Sequence, residues 1–133
     1  MSTYSFSVAA GNNFDRAVSD VIAGLREEGF GIVVDIDMQC VFKEKLGVDE
    51  PRYRILGACN PSLAHQAYRA EPDIGLLLPC NVVVREDQEG NVTVSFVAAE
   101  AVLGVVNKDS VTRLGMEAHK RLERVAEKLR IAA

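Results

Sequence analysis

Tyr4, Phe6 and Val8 alternate with Ser5, Ser7 and Ala9, a period of two that predicts a short strand with one buried face. After Gly11 the period changes. Phe14, Ala17, Val18, Val21, Ile22 and Leu25 fall on one helical stripe, which predicts a helix over 13–28 with Asn12 or Asn13 as its cap and Gly29 as its left-handed terminator. Alternation then resumes, and it predicts a strand with Ile32, Val34, Ile36 and Met38 on one face and Val33, Asp35, Asp37 and Gln39 on the other. Phe42 and Leu46, four apart around Lys43, Glu44 and Lys45, read as a short helix closed by Gly47.

A strand over 52–58 follows, with Tyr53, Ile55 and Gly57 sharing a face. It runs straight into a helix over 61–70. Asn60 is a good cap and Pro61 suits the first helical turn, where its missing N–H costs nothing. Leu76 to Leu78 and Val82 to Val84 are apolar at every position and read as strand, interrupted by Pro79 at an edge or bulge. Asp87 to Asn91 makes a hairpin turn before a return strand with Val92, Val94 and Phe96 inward. Ala98 to Val106 is a short helical crossover. The final helix, over 110–130, repeats at Val111, Leu114, Ala118, Leu122, Val125 and Leu129. The order β-α-β-(α)-β-α-β-β-α predicts an α+β two-layer sandwich: a mixed, mostly antiparallel sheet of about five strands against two to three helices. No linker divides it, so residues 1–133 form a single domain.

Composition narrows the function classes. With 48% apolar and 26% charged residues in 133, the chain can bury a real core. A net charge of −4 lacks the basic excess that nucleic acid or an anionic membrane demands. No apolar run approaches the roughly 20 residues needed to span a bilayer, and no charged-then-apolar leader opens the chain. Three cysteines without CxxC spacing indicate reduced thiols and a cytoplasmic protein.

The run Tyr53-Arg54-Ile55-Leu56-Gly57-Ala58-Cys59-Asn60-Pro61, then Leu63-Ala64-His65-Gln66-Ala67 and Glu71 to Val82, closely resembles the domain-of-unknown-function 302 family. Glu28-Gly29-Phe30-Gly31 and the stretch from Ile36 to Gly47 also look like that family, except that Cys40 stands where a small residue is expected. The resemblance covers roughly residues 4 to 97. It implies an α+β domain of bacteria and archaea that pairs as a homodimer, and it assigns no activity.

The sharpest candidates for chemistry are two Cys-Asn dipeptides 21 residues apart, Cys59-Asn60 and Cys80-Asn81. Cys59 precedes a capped helix, where backbone amides favour an anion and lower a thiol pKa. Against this stands the plainer reading of two small buried hydrophobes and two asparagines that satisfy backbone groups. His65 lies on the adjoining helix, within reach of a role as base or soft ligand. A metal site normally needs three or four ligands, and the sequence offers only these three without recognised ligand spacing; the residues name no cofactor. His119 is expected to be solvated. Asp35 and Asp37 share a strand face and could do acid–base work or bind Mg²⁺, or could simply mark a wet strand face. Arg52 and Arg54 could hold a carboxylate or phosphate.

These residues favour a binding module for a small polar or anionic ligand, with a pocket formed by Cys59, Asn60, His65, Cys80 and Asn81 and with Arg54 as a cation. The alternatives are a thiol enzyme or a redox or metal-binding protein using Cys59, Cys80 and His65, and a dimeric interaction protein without a ligand. Whether the chain is an enzyme at all stays open at this level.

Overall fold

The computed structural model describes residues 3–132. Its elements run β1 (Ser5–Ala9), α1 (Phe14–Glu27), β2 (Gly31–Asp37), α2 (Met38–Leu46), β3 (Tyr53–Cys59), α3 (Pro61–Ala70), a 3₁₀ turn (Pro72–Leu77), β4 (Cys80–Glu86), β5 (Val92–Val97), α4 (Ala99–Gly104) and α5 (Asp109–Ala132). The strands form one sheet in the order β1-β5-β4-β3-β2, and all four pairings are antiparallel, so no parallel pair enters the expected mixed sheet.

Local chemistry sets the boundaries. Asn13 Oδ1 accepts from the Arg16 amide to start α1, and Gly29 follows the helix at φ +86°. Asp37 Oδ1 accepts from the Cys40 amide to start α2, and Gly47 closes it at φ +68°. In the hairpin turn, Asp87 Oδ1 accepts from the amides of Glu89 and Asn91.

Helices α1 and α5 cover one face of the sheet. Val21 and Leu25 of α1 and Leu122 and Val125 of α5 pack there with Leu56, Val82, Val84, Val94 and Phe96, all almost wholly buried. Burial of such side chains contributes about 1.5–3 kcal/mol each. A smaller cluster of Ala67, Ile74, Leu103 and Val111 joins α3, the 3₁₀ turn, α4 and the start of α5. Arg121 ties α5 to the end of α1. Its guanidinium donates to the Glu28 carbonyl and to Glu117, while Arg124 pairs with Glu28 and holds that carboxyl below its ordinary value.

Three expectations change. Leu76 to Leu78 is not strand: Pro72 and the Glu71 side chain, which accepts from the Asp73 amide, begin a 3₁₀ turn that buries Ile74 and leaves Leu76 87% exposed. In β2, a register shift between Ile32 and Val34 puts an extra residue at Val33. Such a bulge flips the alternation: Ile32 lies opposite Ala58 on the helix side, whereas Val34 and Ile36 lie opposite Gly57 and Ile55 on the other side, and Met38 already begins α2. His119 is not solvated but packs 5.2 Å from the Phe6 ring, with its Nδ1 buried and unpartnered among the described residues.

Neither α1 nor α5 lies on the second face of the sheet. There Gly57 lets Pro79 and Val34 close over the strand: a Cβ at position 57 would sit 2.7 Å from Pro79 Cγ and 2.9 Å from Val34 Cβ. Gly57→Ala is expected to cost about 1–3 kcal/mol by overpacking, read as a lower urea midpoint; an unchanged midpoint would show that Pro79 and Val34 yield freely.

Candidate functional site

Strand geometry divides the expected site. Adjacent residues of a strand point to opposite faces, so on β4 Cys80 faces the helices and is buried while Asn81 faces outward and is exposed. The structure therefore separates the two halves of the Cys80-Asn81 dipeptide.

On the helix side, Cys59, Asn60 and Cys80 do come together. They line a cavity of about 40 Å³ with Phe30, Leu63, Leu78, Leu103 and Ala118. That volume is far below the roughly 300–1,000 Å³ of a metabolite pocket. The acceptors of its one amide side-chain residue are already engaged. Asn60, 8% exposed, accepts from the Leu63 amide through Oδ1 and from the Ala64 amide through its carbonyl, and Pro61 has no N–H to offer. The amides of Leu63 and Ala64 at this helix start are thus spent on Asn60 itself. Asn60 Nδ2 lies against Gly29, where a Cβ would come within 2.8 Å. Burial, with a smaller contribution from Cys59, pushes the Cys80 thiol up to about 11, the opposite of an activated nucleophile.

The other candidates lie elsewhere. His65 is exposed on α3 beside Tyr68, with 6.4 Å between the rings, and does not line the cavity. Arg54 donates through Nε and Nη2 to both carboxylate oxygens of Asp35, and Arg52 pairs with Asp15 at 2.8 Å while lying 4.2 Å over the Phe14 ring. Their charges are answered within the chain. Asp35 serves Arg54 and Asp37 caps α2, so this acidic pair has structural work. Cys40 is exposed on α2, its thiol raised by the neighbouring Glu44 carboxylate. Among the described residues no group of three His, Cys, Asp or Glu side chains is placed to hold a metal ion.

Asn81 opens onto a depression that the sequence patterns did not single out. About 470 Å³ in volume, it lies on the bare face of the sheet and is lined by Tyr4, Ser7, Tyr53, Asn81, Val83, Arg85 and Ser95 among others. The register explains its composition. Ser7 lies opposite Ser95, Ser95 opposite Val83, and Val83 opposite Ile55, while Thr93, Arg85 and Tyr53 form the next row. The two serine hydroxyls bond to each other at 2.7 Å. Beyond β3 the face turns apolar with Ile55, Val34 and Ile36. The only hint in the sequence was the polar half of two alternating strands, Ser5-Ser7 and Thr93-Ser95.

The fold is an α+β domain built on a five-stranded antiparallel sheet. The family described as "Domain of unknown function DUF302" matches residues 6–129, and the chain belongs to that family. Among solved structures, it is similar to an uncharacterized conserved protein DUF302 from Bacillus stearothermophilus, with 22% identity, a TM-score of 0.88 and coverage of 97% of this chain and 100% of that one. That likeness shows the fold. A comparison with curated proteins finds no match. Among the described residues no helix is long and apolar enough to cross a membrane.

Because burial pushes the Cys80 thiol up to about 11, its thiolate is scarce at neutral pH. Iodoacetamide at pH 8 is expected to spare Cys80 in the native protein and to modify it only after denaturation, as located by peptide mass mapping. Rapid native labelling of Cys80 would return the thiol enzyme to consideration.

Proposed function

We propose that the domain is a small-ligand-binding module, and that its site is the depression on the bare sheet face around Asn81 rather than the cysteine cavity. One observation carries this reading: the depression has the volume of a metabolite pocket and gathers hydroxyl, amide and guanidinium donors over an apolar floor of Val83. Cys59, Asn60 and Cys80 then pack and cap the structure behind it. The thiol-enzyme alternative loses support from the raised Cys80 thiol and from the exposed position of His65, which does not line the cavity.

A thermal-shift panel of small polar and anionic metabolites tests the site, since any ligand of the folded state raises the melting temperature. Hits are expected, and Ser95→Trp, which fills the depression, is expected to abolish the shift while leaving the unliganded melting temperature nearly unchanged. A panel without hits, or hits that survive Ser95→Trp, would contradict it.

A homodimer completes the proposal. Val34 and Ile36, 37% and 38% exposed, stand with Ile55 on the apolar half of the bare face, adjoining the depression, and an exposed apolar patch with a polar rim marks an interaction surface. Light scattering at micromolar concentration is expected to give twice the 14.5 kDa chain mass, with Ile36→Lys reverting it to the monomer. A monomeric parent chain would remove this part of the reading.

A further inference from the structure

We propose that the bare-face depression takes an organic anion, a carboxylate carried on a flat or apolar body, with Arg85 as the group that pairs with the carboxylate. This rests on the binding-module reading above and names the ligand class.

The charges on the face are the starting point. Of the residues that the strands direct to this face, Arg85 alone is charged, in a chain whose net charge is −4. Within the chain, Arg52 and Arg54 have carboxylate partners in Asp15 and Asp35. Arg85 has none: among the described residues neither an ion pair nor a side-chain hydrogen bond engages it, and no Asp or Glu lines the depression. A guanidinium presents its donors in a fork that matches a planar carboxylate.

The neighbours of Arg85 complete the recognition. Tyr53 lies directly opposite on β3 and Thr93 directly opposite on β5, and residues so paired have Cβ atoms about 4.5–5.5 Å apart. A carboxylate on Arg85 therefore lies within reach of the Tyr53 side chain. Two residues along β4 from Arg85, the Val83 side chain floors the depression and Asn81 stands at its far end. Along a strand this separation from Arg85 to Asn81 is about 13 Å, room for a body of one ring or a short chain beside the anionic group. One cation suits a single negative charge, and Val83 offers an inorganic ion nothing.

The test uses matched probes on the full chain: sodium benzoate, benzyl alcohol and inorganic phosphate, titrated while the backbone amides of Tyr53, Val83, Arg85 and Ser95 are followed by NMR. Benzoate is expected to shift these amides saturably and to bind at least about tenfold more tightly than benzyl alcohol, the least that one charge-assisted hydrogen-bonded pair contributes. Arg85→Gln is expected to remove that tenfold preference. Arg85→Lys, which keeps the charge without the fork, is expected to retain part of it, and Cys59→Ala to change nothing. Equal binding of benzoate and benzyl alcohol at these amides, or benzoate binding indifferent to Arg85→Gln, would overturn the anion class while leaving a binding site in place. Phosphate binding as tightly as benzoate would overturn the organic part. If no probe shifts these amides and the metabolite panel is silent as well, both this inference and the binding-module reading fall.

Discussion

Everything in this domain depends on one constraint: the two long helices, α1 and α5, pack on the same face of a five-stranded antiparallel sheet. The central strand β4 feels it most directly. Cys80, Val82 and Val84 point into the α1–α5 layer and are buried, while Asn81, Val83 and Arg85 point away. The buried row holds the fold together through apolar contact, and the outward row is left to do something else. Both long helices lie on the side of the buried row.

The same constraint explains why the polar groups most conspicuous in the sequence are quiet in the structure. Asn60 caps α3, Asp37 caps α2, Asp35 answers Arg54, and Asp15 answers Arg52. Each satisfies a backbone amide or a charge that folding would otherwise leave without a partner, and such groups are costly to bury unpaired. Cys80 is buried and its thiol is raised. What remains unanswered is on the bare face, where Arg85 has no counter-charge beside it.

Much of this was legible beforehand. The stripes of α1 and α5, the caps Asn13 and Asn60, the terminators Gly29 and Gly47 and the hairpin at Asp87–Asn91 all follow from local chemistry, and the chain reads as a member of its family from residues 53–82 alone. The failures share a cause. The bulge at Val33 changes no residue type, so alternation carried Val34 and Ile36 to the wrong face. Leu76–Leu78 looked like strand because three leucines fit a buried one, but the Pro72 start and Glu71 cap impose a 3₁₀ turn. The Cys80-Asn81 pair was read as a unit although neighbours on a strand cannot share a face. Arg85, Tyr53, Ser7 and Ser95 lie on four different strands brought together only by register, and no local pattern announces that.

The most direct measurement is a crystal structure of the protein as purified from its source with its retained small molecule, or soaked with the strongest binder if none is retained. Density for that molecule is predicted on the bare face, between Arg85, Tyr53 and Asn81, with the cavity beside Cys59 and Cys80 holding nothing larger than water. Ligand density in that cavity, with the bare face vacant, would contradict the account.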